Sequence, residues 1–236
     1  MNQEGKTGIP GWKRTLDVVL IVLALPVLVP VGLVITVLVR VASPGPVLFM
    51  QERVGYGGRG FMCLKFRTMH CGAATVRHEG YLKDLMNSDA PMVKLDASGD
   101  SRIIAGGKWV RAAGLDELPQ LFNVLMGEMS LVGPRPCLPY EAEGYLPWQR
   151  ERFNTAPGLT GLWQVSGKNR TTFTRMIELD IEYARRKSVW LDLGIIVKTI
   201  PALLVQIGDL RQRKKALRGA AGTVAEPVMP VRVSNR

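Results

Sequence analysis

The sequence predicts a mostly helical α+β fold that one N-terminal helix attaches to a membrane. Three observations lead to this fold class. Residues 18–39 contain no charged side chain, two short strand-like segments flank a glycine-rich turn, and apolar residues recur at helical spacing in several later segments. We therefore expect a proline-broken re-entrant membrane helix, a small β-hairpin, and amphipathic interfacial helices around a cytoplasmic core.

The uncharged segment is long enough to cross a membrane, but two prolines interrupt it. As a straight helix, its 22 residues would cross a hydrocarbon core of roughly 30 Å. Pro26 and Pro30 lie one helical turn apart within it. Because each proline removes a backbone donor and clashes with the preceding turn, we expect a kink or break near the middle of the helix.

Basic residues flank the uncharged segment on both sides. They are Lys6, Lys13 and Arg14 before it, and Arg40, Arg53, Arg59, Lys65 and Arg67 after it. A helix that enters the membrane and returns to the same face keeps both groups in the cytoplasm, whereas a straight span keeps only one of them there. We favour the re-entrant helix; a straight span and the buried core helix of a soluble protein remain alternative interpretations.

A β-hairpin is predicted directly after the membrane segment. The Ser-Pro-Gly-Pro sequence at 43–46 ends the helix. Strands are predicted at Val47–Gln51 and Phe61–Phe66, joined by a glycine-rich turn. Residues 73–88 then have the pattern of a helix, and residues 89–101 that of a polar loop.

A short amphipathic helix is predicted next, with two acidic residues at its start. Apolar residues recur at helical spacing at Leu118, Leu121, Phe122 and Leu125. The helix should run from about 117 to Met126 and end at Gly127. Since Pro119 is tolerated only near a helix start, Asp116 and Glu117 should lie at the N-terminus.

Helical patterns continue to the C-terminal part of the chain. They cover about 140–153 and 172–187, and an apolar segment at 190–208 suits a membrane interface better than a span. The domain boundaries predicted are a flexible N-terminus at 1–11, the re-entrant helix at 12–42, a cytosolic core with interfacial helices at 43–208, and a basic, disordered tail at 209–236.

The charge of the chain predicts an anionic partner. There are 31 Lys and Arg against 20 Asp and Glu, for a net charge of +11. Nucleic acid, lipid headgroups or a phosphorylated substrate would fit this excess. With only two histidines, catalysis would have to rest on carboxylates, lysines and arginines.

The acidic pair, Asp116 and Glu117, suits two different roles. Neighbouring residues of a helix point about 100° apart, so both carboxylates cannot face one bond in the manner of paired glycosidase acids. One could act as a nucleophile or transfer a proton while the other binds a cation such as Mg²⁺. Ordinary capping of a helix N-terminus is the alternative interpretation.

Cationic residues near this pair favour phosphate chemistry. Arg111 lies just upstream, and Arg135 follows in a Gly-Pro-Arg-Pro sequence whose prolines stiffen the backbone around a planar guanidinium group. Lys65 and Arg67 add two further cations in the sequence KFRTM. Together with a membrane segment, these residues indicate phosphoryl transfer on a lipid-linked substrate.

Four stretches of the chain resemble one known family. They are KFRTM (65–69), LDELPQLFNVLMGEMSLVGPRP (115–136), PGLTGLWQVSGKN (157–169) and ELDIEYARRKSVWLDLGIIVKT (178–199). The family is that of the bacterial sugar transferases, the small monotopic polyprenyl-phosphate phosphoglycosyl transferases. The resemblance runs in order from about Trp12 to Gln206, and the family's N-terminal helix is re-entrant and broken at a proline, which Pro26 matches.

The resemblance implies a two-step reaction and a role for each matched residue. Asp116 would attack the β-phosphate of a UDP-sugar and release UMP, and undecaprenyl phosphate would then take the phosphosugar from the aspartate. Glu117 would bind Mg²⁺. Arg111, Pro134 and Arg135 match phosphate-contacting positions, and Lys65 and Arg67 belong to the family's KFR motif. One departure is Gly114, where the family usually has Ser or Thr; because glycine is also a fair N-cap, we expect no loss of chemistry.

The resemblance also implies location and partners. The chain should lie on the cytoplasmic face of the bacterial inner membrane, in one leaflet, with both termini cytoplasmic. UDP-glucose or UDP-galactose is the expected donor, with a UDP-N-acetyl or diamino sugar as the alternative. A non-catalytic, membrane-anchored basic protein is the competing hypothesis. Nucleic acid is not expected as a partner because few aromatic residues accompany the basic ones, and the apolar helices leave room for a homodimer.

Overall fold

A computed structural model describes most of the chain: residues 8–70, 80, 85–86, 88, 90–92, 102–167 and 170–222. The helices in these ranges are α1 (Gly11–Ala42), α2 (Gly107–Ala112), α3 (Gln120–Met126), α4 (Pro139–Glu143), α5 (Leu162–Val165), α6 (Phe173–Arg186) and α7 (Val189–Gly222). The strands are β1 (Leu48–Val54), β2 (Gly60–Phe66), β3 (Ser130–Val132) and β4 (Gly158–Thr160). This mostly helical fold with small sheets agrees with the predicted class.

The predicted β-hairpin is confirmed. Strands β1 and β2 pair antiparallel from Leu48 opposite Phe66 to Val54 opposite Gly60. A 3₁₀ turn at Tyr56–Gly58 joins them. Strand β1 ends at Val54, three residues beyond the end of the predicted strand. The second sheet was not predicted: β3 and β4 pair in parallel, with Ser130 opposite Gly158.

Helix α1 runs through Pro26 and Pro30 as one helical element. Among the described residues it is the one helix long and apolar enough to cross a membrane. Both of its ends pack on the rest of the molecule: Ile21 in a cluster with Val124 of α3, and Val39 in a cluster with Phe66 of β2. Most side chains between these contacts are exposed, among them Leu23, Val27 and Val34.

Buried polar contacts fix the first turns of α1. Lys13 is fully buried and forms an ion pair with Asp192 of α7. The Asp192 Oδ1 atom lies 2.7 Å from the hydroxyl of Tyr183, on α6. Asp17 accepts hydrogen bonds from the Ser130 hydroxyl at 2.7 Å and from the Leu131 N–H at 3.1 Å. These contacts join the start of α1 to β3, α6 and α7.

Three predicted helices differ from the structure. The helix predicted at 117–126 begins at Gln120, with Pro119 as its N-cap, because a separate 3₁₀ turn at Leu115–Glu117 precedes it. The helix predicted at 140–153 is interrupted after Glu143, and a 3₁₀ segment at Pro147–Asn154 replaces its second half. Helix α7 continues past 208 to Gly222, through part of the tail that was predicted to be disordered.

The remaining predictions are confirmed or untested. Helix α6 matches the prediction at 172–187, and the Thr172 side chain caps it by accepting from the Arg175 N–H at 3.2 Å. The helix predicted at 73–88 and the loop at 89–101 fall largely outside the described residues. The same holds for residues 1–7 and 223–236.

Candidate active site

The two predicted acidic residues lie in the 3₁₀ turn Leu115–Glu117, called here the acidic turn. Gly114 precedes it with a φ of 69°, a left-handed conformation that favours glycine. Leu115 packs against the cluster that contains Val39 of α1 and Phe66 of β2. Since successive residues of a 3₁₀ helix point about 120° apart, Asp116 and Glu117 still face different directions, as predicted for the longer helix.

Lys65 of β2 reaches this turn. Its Nζ lies 3.1 Å from Glu117 Oε1, and the two side chains are 24% and 37% exposed. Asn123 of α3 sets their relative position, because its side chain accepts from the Leu64 N–H at 3.1 Å and donates to the Met62 carbonyl at 2.8 Å. The helix that follows the acidic turn is thereby fixed to the strand that carries the lysine.

The other predicted cations of this region have different surroundings. Arg111 of α2 donates to the Thr68 hydroxyl at 3.3 Å, just beyond the end of β2. Arg67 is buried, and its guanidinium donates to carbonyls of the turn after α1, at 2.8 Å for Ser43 and 2.6 Å for Pro46. These contacts of Arg67 secure the end of α1, and its predicted phosphate contact stays a prediction.

Pro134 and Arg135 follow β3 in a segment whose backbone is held from several sides. The four carbonyls from 134 to 137 each accept a hydrogen bond from another segment. The donors are Gly158 N to Pro134 at 2.9 Å, Arg152 Nη2 to Arg135 at 2.7 Å, Arg53 Nη1 to Pro136 at 3.1 Å, and Val54 N to Cys137 at 2.9 Å. We call residues 133–137 the clamp segment.

The Arg135 side chain is 26% exposed and has an acidic neighbour. Its Nη1 lies 3.4 Å from Oε2 of Glu141, a residue with no exposed surface. Burial lowers the pKa of Arg135, but the carboxylate of Glu141 offsets this and the pKa is raised overall. The guanidinium therefore stays charged beside a shallow, half-open depression, which Pro134, Arg152, Phe153 and Thr155 help to line.

Comparison with known proteins decides the family. Residues 10–206 match the family described as "Bacterial sugar transferase". The chain belongs to this family. It is 42% identical over 200 residues to the UDP-glucose:undecaprenyl-phosphate glucose-1-phosphate transferase of Caulobacter vibrioides, covering 81% of this chain and 69% of that protein.

Two further relatives show the range of this similarity. The transferase is 37% identical over 197 residues to the exopolysaccharide production protein ExoY of Sinorhizobium fredii, covering 84% of this chain and 87% of that protein. It is also 37% identical to the UDP-N-acetylgalactosamine-undecaprenyl-phosphate N-acetylgalactosaminephosphotransferase of Aeromonas hydrophila, covering 83% of this chain and 44% of that protein.

The acidic residues of the transferase suit a Mg²⁺ ion that is shared with a substrate. Within the described ranges, no three His, Cys, Asp or Glu residues lie close enough together to hold a metal by themselves. The acidic turn offers two carboxylates. Mg²⁺ is commonly held by one or two carboxylates together with substrate phosphates, so the residues of this turn fit that arrangement.

Sequence reasoning missed three residues around the clamp segment of this transferase: Glu141, Arg152 and Asp180. Arg152 and Asp180 form a buried ion pair at 2.6 Å. Burial raises the pKa of Asp180 to about 6, although Arg152 opposes the shift. One local feature of the sequence could have indicated Glu141: it lies three residues after Leu138, as in a capping box. Its carboxylate accepts a hydrogen bond from the Leu138 N–H at 3.2 Å. The Arg152–Asp180 pair had no such local feature.

Proposed function

We propose that this transferase moves a sugar-1-phosphate from a UDP-sugar to undecaprenyl phosphate, as the first membrane step of surface polysaccharide synthesis. The names of the Caulobacter and Aeromonas relatives support the donor and acceptor classes. The name of the Sinorhizobium relative supports the pathway class. The observation that carries the proposal is the acidic turn, where Asp116 adjoins Glu117 and Lys65 lies 3.1 Å from Glu117.

In the first step, a carboxylate oxygen of Asp116 attacks the β-phosphorus of the UDP-sugar. The bond from that phosphorus to the bridging oxygen breaks, and UMP leaves with the electron pair. In the second step, an oxygen of undecaprenyl phosphate attacks the phosphorus of the phosphosugar-aspartate, and the Asp116 carboxylate leaves. Two displacements at one phosphorus allow a soluble donor and a lipid acceptor to use the same site in turn.

Positive charge is needed because a carboxylate and a diphosphate repel each other. Lys65 and Arg111 lie on elements next to the acidic turn, and Arg135 presents a planar group suited to phosphate oxygens. Glu117 would hold Mg²⁺ together with the substrate. When bound, Mg²⁺ neutralises charge on the phosphate oxygens.

The re-entrant form of α1 is part of this proposal. Ile21 and Val39 pack on the same body, whereas a straight span would place the two ends of the helix on opposite sides of the bilayer. Exposed apolar side chains also occur on α3 and α7, including Phe122, Met126 and Ile200, and they suit an interface beside the inserted helix. Both termini would then be cytoplasmic, and tags at either end should react with a reagent on the same side of sealed vesicles.

The donor is proposed to be UDP-glucose or UDP-galactose. The Caulobacter relative is named for glucose-1-phosphate transfer. Because the Aeromonas relative is named for an N-acetylated sugar, UDP-N-acetylgalactosamine is the competitor. A panel of UDP-sugars compared by UMP release separates the two classes.

The decisive experiment follows the nucleophile. The full chain in lipid nanodiscs is given UDP-glucose, UDP-galactose or UDP-N-acetylgalactosamine with undecaprenyl phosphate, and UMP is measured. Without the acceptor, intact-mass analysis should detect one covalently bound sugar phosphate in the wild type and none in Asp116→Asn. The matched control is Glu178→Gln, a substitution of a half-exposed acid on α6. If Asp116→Asn turns over at the wild-type rate, the mechanism is wrong.

A further inference from the structure

The clamp segment is held by its surroundings more fully than a surface loop requires. Its four carbonyls at 134–137 point to donors from β1, from β4 and from the 3₁₀ segment at 147–154. Loops commonly leave such groups to water. Here each of the carbonyls from 134 to 137 has a protein donor, and these donors hold the backbone around Arg135.

Arg152 is the most constrained of these donors. Its side chain is 1% exposed. One amino group donates to the Arg135 carbonyl at 2.7 Å and to Asp180 at 2.6 Å, and the other donates to the Tyr145 hydroxyl. A guanidinium with these buried partners cannot turn toward a substrate without breaking the Asp180 pair, so a contribution of Arg152 to phosphate binding would act through Arg135.

Glu141 contacts the side chain of Arg135, whereas Arg152 binds the Arg135 backbone. One carboxylate oxygen accepts from the Leu138 N–H at 3.2 Å, and the second lies 3.4 Å from Arg135 Nη1. Among the described residues, Glu141 is the one hydrogen-bond partner of the Arg135 guanidinium. A planar guanidinium has further N–H groups, which are suited to two oxygens of a phosphate.

We propose that Arg152 and Glu141 are positioning residues: Arg152 fixes the backbone of Arg135, and Glu141 orients its guanidinium toward the donor diphosphate. This inference rests on the proposed phosphate contact of Arg135. A purely structural role for the two residues is the competing explanation. The two explanations differ in what happens to the affinity for a diphosphate.

Glu141→Gln distinguishes the positioning role from a purely structural role by whether the affinity for a diphosphate falls. The negative charge near Arg135 opposes the binding of an anion, so its removal alone should tighten binding. If Glu141 orients the guanidinium, the amide should instead weaken binding, because misplacing a binding group costs about tenfold or more. A structural role alone would lower the melting temperature without weakening diphosphate binding.

The test measures the binding of UDP to the full chain in nanodiscs by calorimetry, together with KM and kcat for UMP release and the melting temperature. The variants are Arg135→Lys, Glu141→Gln and Arg152→Lys. The control is Arg185→Gln, which removes an exposed ion pair with Glu151, the residue next to Arg152 in the chain. We expect each of the three to weaken UDP binding about tenfold and to raise KM more than it lowers kcat, and the control to behave as the wild type.

The outcomes separate the inference from the function on which it rests. If Arg135→Lys binds UDP normally, Arg135 is not a phosphate clamp and that part of the proposed function fails. If Arg135→Lys binds weakly while Glu141→Gln binds normally or more tightly, the positioning role is overturned and the proposed function stands. Should Arg152→Lys fail to fold, the sign of the Glu141→Gln effect still decides.

Discussion

The acidic turn and the clamp segment contribute to one proposed site, but they are built in different ways. Asp116 and Glu117 lie in a single 3₁₀ turn and are half-buried. The clamp segment is largely buried, and other parts of the chain bind its backbone at four successive carbonyls. A glycine precedes the acidic turn and another begins the clamp segment, and the reasons for the two glycines also differ.

This difference separates reactivity from recognition. A nucleophile must approach two substrates in turn, so it benefits from a turn that is open to both. A phosphate-binding arginine benefits from a fixed position, because affinity depends on geometry that exists before the substrate arrives. Substitutions in the acidic turn should therefore affect turnover, and substitutions in the clamp segment should affect stability and binding.

Gly133→Ala should have the largest effect on stability. A Cβ at this position would lie 2.4 Å from the Ala156 carbonyl oxygen and 2.8 Å from the Gly158 nitrogen, both backbone atoms. Because β3 and β4 would have to separate, we expect a loss of about 3 kcal/mol or more. Thermal unfolding in nanodiscs measures the change. Gly194→Ala in α7 is the control, since its Cβ would have no neighbour within 4 Å; equal melting temperatures for the two variants would contradict the packing argument.

Glu117→Gln should affect turnover and leave stability nearly unchanged. Loss of one carboxylate removes a Mg²⁺ ligand and the partner of Lys65, and we expect kcat to fall about a hundredfold. The Mg²⁺ concentration for half-maximal rate should rise, while the melting temperature stays close to that of the wild type because the side chain is 37% exposed. Titration of Mg²⁺ in the UMP-release assay measures this, and an unchanged midpoint would remove Glu117 from the metal site.

Local signals in the sequence were sufficient for the elements that local physics determines. The β-hairpin followed from its glycine-rich turn, and α6 from the helical pattern of its residues. Asp116 and Glu117 were predicted at the N-terminus of α3, but they lie in the 3₁₀ turn that precedes it. Pro119 fits both the first position of a helix and the cap before it. The chain pattern alone could not distinguish these positions.

Contacts between distant segments were outside the reach of the sequence. The partners of Lys65 and Arg152 lie 52 and 28 residues away, and several other acids were equally suitable by type. Packing selects among them. The structure has one helical element through both prolines and does not show the predicted break. The proline-broken form of α1 therefore stays a prediction.

Asn123→Ala should have an intermediate effect, because Asn123 joins α3, the helix after the acidic turn, to β2. Asn123 is fully buried, and its side chain binds the Leu64 N–H and the Met62 carbonyl of β2 as a neighbouring strand would. Leaving those backbone groups without partners should cost about 1–3 kcal/mol and shift Lys65 relative to Glu117, so kcat should also fall. Asn154→Ala, at an exposed position, is the control. A destabilised variant with normal kcat would show that Lys65 is placed by β2 alone.

Gly114 should tolerate substitution far better than Gly133, and the surroundings of the two glycines explain why. The nearest atom to a Cβ at position 114 is Leu203 Cδ2 at 3.4 Å, so space is sufficient, and the constraint is the φ of 69°. Alanine should cost about 1 kcal/mol, and asparagine less, because asparagine tolerates the left-handed conformation. The melting temperatures of Gly114→Ala and Gly114→Asn measure this difference. Serine, which the family resemblance leads us to expect at this position, should behave like alanine, because a residue at this φ does not have the extended backbone of an N-cap. If serine stabilised the protein instead, the turn would have to change to the extended conformation of an N-cap.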